Sequence, residues 1–177
     1  MKNTMKVLMI STLTVSLLIL SGMIFMYKSQ PKSAYVRLGY IYDNFGFKKE
    51  LETKLNNVVQ VRKTILDSLS LELNMLSRKI QEEHEKDQIK IDRFNDEKQK
   101  YLSKKQQFDE DNQSLKEQYT QEIMKQLNQY VQDYANDKGL AFVYGAEGTG
   151  AIMAADQKYD MTTPILAYIN ERYQGKK

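Results

Sequence analysis

Few residues in this 177-residue chain could carry chemistry, and they do not combine into a catalytic or metal site. His84 is the one histidine and cysteine is absent, whereas a metal site needs several neighbouring ligands. Aspartates and glutamates are plentiful, but they are interleaved with lysines on predicted helices, where carboxylates are normally solvated ion-pair partners. No nucleophile is paired with a base. We therefore expect no enzyme activity, no metal and no cofactor.

A second chemical candidate is the glycine-rich loop that contains Gly145, Gly148 and Gly150. Its glycines are typical of phosphate-binding loops, but the Gly-Lys-Ser/Thr ending is missing and a strand-like segment follows. We interpret it as a tight turn. Residues 47–138 carry 17 Lys/Arg against 18 Asp/Glu, so they offer no excess of positive charge to acidic partners. We expect no nucleic-acid partner.

The longest stretch without glycine or proline runs from Phe47 to Lys138 and predicts helix. Apolar and aromatic residues recur in it at steps of three and four, which is a heptad seam. Arg62 breaks the seam in its first part, and three polar residues fill core slots of its second part: Lys98, Lys105 and Asn112. A continuous helix would be about 138 Å long at about 1.5 Å per residue. We predict an antiparallel helical hairpin instead, with its tip near residues 84–91, where charges interrupt the seam.

The N-terminal segment has the length of a membrane span. Residues 7–27 carry no charge over 21 positions, about 31 Å of helix against a hydrocarbon core of about 30 Å. A cleaved signal peptide would have a shorter apolar core and a small-residue cleavage site. We therefore interpret residues 1–27 as an uncleaved signal anchor, with a cleaved signal peptide as the alternative, and residues 28–34 as a linker.

The segments on either side of the hairpin, residues 35–46 and 139–177, are predicted to form a small β head. Residues 35–42 alternate as one strand, and residues 140–144 and 151–155 predict two more, joined as a hairpin by the glycine loop. Pro164 opens a helix that ends at Tyr173. A body of this size buries too little surface to be stable alone. Association with further copies of the same chain is the simplest way to bury more surface. The candidate oligomerisation residues are Val36, Leu38, Tyr40, Phe142, Tyr144 and Ile152.

The order of these segments resembles the Skp/OmpH family of periplasmic chaperones for outer-membrane proteins. The likeness lies in the strand, the Lys/Glu/Gln-rich hairpin, the return GLAFVYGAEGTGAIMAAD and the final YDMTTPILAYINERY. It implies an α+β, mostly α fold, and a homotrimer whose heads form a small β-barrel. Three hairpin arms would then surround a cavity for unfolded outer-membrane proteins. The aromatic residues of the second arm are either seam core or client contacts: Phe94, Tyr101, Phe108 and Tyr119.

The chain departs from the family pattern in two respects. The best-known members have a cleaved signal peptide, whereas an anchored chain would hold its periplasmic domain at the inner membrane. Their arms are also more basic than residues 47–138 are here. Strong electrostatic capture of acidic clients, or of lipopolysaccharide, is therefore not expected.

Two functions are compatible with this layout. The first is an ATP-independent holdase chaperone that binds unfolded exported proteins of the cell envelope. The alternative is a membrane-anchored coiled-coil scaffold that recruits partners through its heptads. The return of the chain to β-structure after the arms favours the chaperone, because a rod that runs outward has no need of it.

Overall fold

A computed structural model describes residues 14–23, 31–82, 88–147 and 152–175. Residues 14–23 are helical (α1). The remaining elements, in chain order, are β1 (Lys32–Arg37), α2 (Leu38–Asn44), α3 (Gly46–Glu82), α4 (Gln88–Lys138), β2 (Leu140–Ala146), a short 3-10 turn (Gln157–Tyr159) and α5 (Thr162–Tyr173). The prediction of a mostly helical chain with long helices and a small sheet is confirmed.

Helix α1 falls inside residues 7–27, which were predicted to span a membrane. Within the part of the chain that the structure describes, no helix is long and apolar enough to cross a membrane. Residues 7–13 and 24–27 lie outside the described ranges.

The first strand lies earlier than predicted. Strand β1 covers Lys32–Arg37, with Ala34 and Val36 buried in alternation. From Leu38 the chain is helical, and the predicted strand over residues 35–42 is wrong in its second half. Leu38, Ile41 and Phe45 are spaced three and four residues apart, which is the spacing of one helix face, and Ile41 and Phe45 are fully buried. Burial of this face favours a helix over the alternating strand pattern.

The predicted hairpin between residues 140–144 and 151–155 is also wrong. Strand β2 pairs in parallel with β1, with Val36 opposite Gly145, and residues 152–155 are not strand. Parallel strands need a long crossover, which α3 and α4 supply. Gly139, at φ 63°, ends α4 and turns the chain into β2. The glycine-rich loop suggested a local partner for β2, whereas the actual partner lies about a hundred residues away in sequence.

Helices α3 and α4 form the long part of the molecule, with 37 and 51 residues, or about 55 and 76 Å. They run in opposite directions, because Arg62 of α3 meets Asn112 of α4 while Leu51 shares a cluster with Ile123 and Leu127. Of the predicted tip, residues 88–91 are helical and residues 84–87, His84 among them, lie outside the described ranges.

The hydrophobic core lies where the base of the two long helices meets β1, α2 and α5. Its fully buried side chains include Ile41, Phe45, Leu127, Ile165 and Ile169. The last turns of α4 extend past the start of α3, and Tyr134 there contacts Tyr168 of α5, with ring centroids 5.3 Å apart. This core thus joins the arms to the head.

Candidate functional site

Helix α5 fixes the base of the first arm. The Asn170 side chain accepts a hydrogen bond from the Gly46 N–H (2.8 Å) and donates one to the Asn44 carbonyl (3.2 Å), so it joins the end of α2 to the start of α3. The Tyr173 hydroxyl is hydrogen-bonded to the Glu50 carboxylate, which raises the pKa of Tyr173 to about 12. A side chain at Gly46 would come within 3.2 Å of the Tyr173 ring, so glycine allows this close contact.

The predicted oligomerisation residues separate into two groups. Val36 is buried in the protomer's own core and Leu38 packs against that core, so these two do not present an open surface. Tyr40, Phe142 and Tyr144 are exposed by 48%, 53% and 46% of their surface. The rings of Phe142 and Tyr144 stack on each other, with centroids 5.9 Å apart. The exposed group belongs to α2 and β2.

Beside Tyr40 lies a shallow depression of about 570 Å³. Tyr40 and Ile152 line it together with Met153, which is 95% exposed. The Arg37 guanidinium lies 4.9 Å from the centroid of the Tyr40 ring and 3.8 Å from the Asp160 carboxylate. The rim is thus apolar and aromatic, with a paired cation. Sequence reasoning did not single out Met153, because a lone methionine after the glycine-rich loop carries no periodic signal.

Strand β2 has one edge without a described neighbour. Its other edge pairs with β1, and β1 is covered on its far side by Asp160, through a parallel bridge to Tyr35. Thr162 is hydrogen-bonded to Asp160, which lowers the pKa of that carboxyl and helps to hold this segment in place. Two-stranded sheets are marginal alone. This edge of β2, which pairs with no strand in the described ranges, is where a further strand could pair.

The four aromatic residues proposed as core or as client contacts lie along α4. Phe108 is buried, with 8% of its surface exposed, while Phe94, Tyr101 and Tyr119 are half-buried. Tyr119 also packs against the core cluster. The arrangement favours the seam for Phe108 and leaves partial exposure at the other three.

The larger exposed apolar surface of the arms is aliphatic. Leu71 and Met75 of α3 and Leu102 of α4 are exposed by 63%, 53% and 47%. Val61 and Ile65 continue this exposure along α3, at 61% and 41%. Most of these residues fall between the heptad positions, so the periodicity of the sequence does not identify them. They could have been found in the sequence as apolar residues at positions where the solvent-facing side of a helix usually carries charged residues.

Several charged side chains on the arms form ion pairs within one helix. Lys54 lies 2.7 Å from Glu50, and Lys105 lies 2.9 Å from Asp109, each four residues apart and exposed. These pairs raise the pKa of both lysines. Across the described ranges, no group of three or more His, Cys, Asp or Glu side chains is placed to hold a metal ion.

Known proteins share the sequence pattern and the fold of this chain. The family model described as "Outer membrane protein (OmpH-like)" matches residues 32–169. The chain belongs to this OmpH-like family. A solved structure from Caulobacter crescentus CB15, assigned as an OmpH-like outer membrane chaperone, has a similar fold with a TM-score of 0.71. That match has 13% sequence identity and covers 81% of this chain and 86% of the other. No curated protein matches the chain.

Proposed function

We propose that this chain is an ATP-independent holdase chaperone that binds unfolded exported proteins, outer-membrane proteins above all. The observation that carries the proposal is the pair of long antiparallel helices, which projects from a small head and exposes aliphatic side chains between its charges. Membership of the OmpH-like family supports it.

The arms suit an unfolded client for a physical reason. Exposed side chains such as Val61, Leu71 and Met75 offer non-directional apolar contact, which does not depend on the sequence that it meets. Charged residues of both signs along the same helices keep them hydrated and add little net field, since residues 47–138 are nearly neutral. Many weak contacts of this kind allow release when the client folds elsewhere.

We further propose that the head, residues 35–46 and 139–177, assembles three chains. Support comes from the edge of β2 that pairs with no strand in the described ranges, and from the exposed, stacked rings of Phe142 and Tyr144. Edge pairing and burial of these rings would complete a sheet that is marginal in one protomer. Three helical hairpins, one from each chain, would then enclose a client from several sides.

The proposed place of action is the periplasmic side of the cell envelope. Residues 7–27 would act as the segment that targets the chain there, and as its anchor in the inner membrane if they are retained. Mature protein that starts near Met1 and stays with membranes through a high-salt wash would support anchoring. An N-terminus after residue 27, with soluble protein, would identify a cleaved signal peptide.

A photo-crosslinking residue placed at Met75 in living cells tests the function. A chaperone should crosslink there to newly exported outer-membrane proteins, and more strongly when their insertion is blocked. The same residue placed at Gln157, exposed on the 3-10 turn away from the arms, is the matched control and should capture far fewer of them. One folded envelope partner, captured at a level that client supply does not change, would favour the scaffold instead.

A further inference from the structure

The structure brings together two polar residues that interrupt the heptad seam, one on each arm. The Arg62 guanidinium Nη1 donates a hydrogen bond to Asn112 Oδ1, and Nη2 lies 3.5 Å from Asp111 Oδ2. The same guanidinium lies over the Phe108 ring, 5.4 Å from its centroid. These four residues are called the Arg62 cluster below.

The Arg62 cluster marks a change in burial along the arms. Phe108 is the first buried residue of α4 after Gln88, and in α3 only Leu51, near the base, is buried within the described ranges. Toward the tip from the cluster, the described seam side chains are half-buried or exposed. Apolar burial therefore holds the arms firmly at the base and weakly beyond the cluster.

The contacts in the cluster require one particular pairing of the helices. The Arg62 side chain is only 22% exposed, so its guanidinium needs partners for its donors. Asn112 and Asp111 supply them only when that part of α4 lies opposite Arg62. A polar residue in a seam characteristically selects one pairing of the helices, at some cost in stability.

The sequence between the two helices carries no turn signal that would also select a pairing. Residues 83–87, between the two helices, contain neither glycine nor proline, so their types do not specify where the chain turns. We propose that the Arg62 cluster fixes the pairing of α3 and α4 near their middle and confines local opening of the arm to the part beyond it. This proposal holds whether or not the chain binds unfolded clients.

Hydrogen exchange of the full chain in mild detergent tests the proposal. In the wild type, residues 64–82 and 88–104 should exchange faster than residues 47–60 and 112–130. Arg62→Ala removes one partner of a charged hydrogen bond, which should lower protection in residues 55–60 and 112–119 by about tenfold or more. Protection in α5 should not change. Lys63→Ala, at the exposed neighbour, is the matched control and should leave every segment as in the wild type.

Spin labels at the exposed residues Asn74 and Gln99, on opposite arms beyond the cluster, test the pairing itself. Their separation should form a broader distribution in Arg62→Ala than in the wild type. The Arg62→Leu/Asn112→Leu variant restores packing with an apolar pair, so its exchange protection near the cluster should return to the wild-type level or above.

Three results would overturn the proposal. They are unchanged protection in Arg62→Ala, a loss of protection that is equal in α5 and the arms, and a double-leucine variant that stays as unprotected as Arg62→Ala. The second result would mean general destabilisation of the chain. The third would mean that contact between positions 62 and 112 is not what limits opening.

Discussion

The Tyr173 hydroxyl, on the last turn of α5, is hydrogen-bonded to the carboxylate of Glu50, on the first turns of α3. The two residues are 123 positions apart. With the Asn170 contacts to Gly46 and Asn44, this bond joins the C-terminal helix to the start of the first arm. The direction in which the arm leaves the head is therefore set partly by the last residues of the fold.

Tyr173→Phe should lower the urea midpoint of unfolding near neutral pH, because it removes this hydrogen bond and retains the ring. The pKa of Glu50 is lowered from its ordinary 4.5, first by Lys54 and then by Tyr173, and that of Tyr173 is raised from 10.0 to about 12. The hydrogen bond thus makes its full contribution to the free energy of unfolding between pH 4.5 and pH 10.0, the ordinary pKa values of Glu50 and Tyr173. It is lost as the pH falls through the lowered Glu50 pKa or rises through the Tyr173 pKa.

The difference in urea midpoint between wild type and Tyr173→Phe should accordingly be constant from about pH 6 to pH 9 and shrink toward pH 3 and pH 11. Tyr159→Phe is the control, since Tyr159 is 47% exposed and stands on the 3-10 turn. It should show little difference at any pH. A Tyr173→Phe difference that does not vary with pH would contradict the role given to the hydrogen bond.

Phe45→Ala should destabilise the chain by about 3–5 kcal/mol, as large-to-small changes of buried aromatic residues do. Phe45 is fully buried and makes edge contacts with the rings of Phe47, Tyr130 and Tyr173 at centroid distances of 5.9, 6.2 and 6.0 Å. Urea unfolding followed by circular dichroism measures the loss. Leu71→Ala, at a 63% exposed site, should stay within about 0.5 kcal/mol. Similar losses in the two variants would be inconsistent with the core described.

Phe142→Asp should weaken self-association by more than about tenfold, because a carboxylate would be buried without a partner in the assembled head. The protomer should stay folded, since Phe142 is 53% exposed in it. Light scattering gives the mass, and circular dichroism gives the fold. Gln157→Asp adds the same charge at an exposed site of the 3-10 turn and should assemble like the wild type. A wild-type chain that is monomeric would refute the trimer directly.

Replacing Val61, Leu71 and Met75 together by serine should reduce suppression of client aggregation several-fold without lowering the urea midpoint, because all three side chains are mostly exposed. The matched control replaces Lys63, Glu72 and Lys79, exposed polar residues of the same helix, by serine. Equal loss of activity in the two triple variants would show that exposed aliphatic side chains are not the contact surface.

Local periodicity in the sequence was enough to predict the helical arms and, among four polar residues placed in seam slots, the two that the structure brings together. Arg62 and Asn112 each stood out because a charged or amide side chain occupied a slot where the heptad called for an apolar one. That the two meet could not be predicted, because the register depends on where the chain turns. The exposed Leu71 and Met75 were not predicted because they lie outside the heptad positions, and only those positions show a regular spacing.

The head was harder to predict because its pairing is not local. Alternation of Leu38 with Tyr40 suggested a strand, whereas burial of Ile41 and Phe45 selected a helix. The glycine-rich loop suggested a hairpin, although β2 pairs with β1 across both arms. Short apolar segments are ambiguous in isolation, and contacts distant in sequence decide between the alternatives.

Light scattering from a denatured outer-membrane β-barrel protein, diluted into buffer with the purified chain and without ATP, tests the central claim most directly. We expect aggregation to be suppressed near one trimer per client. Protection should weaken only modestly from low to physiological salt, because residues 47–138 are almost neutral. If the trimer forms but aggregation proceeds at the unprotected rate, the chain is not a holdase.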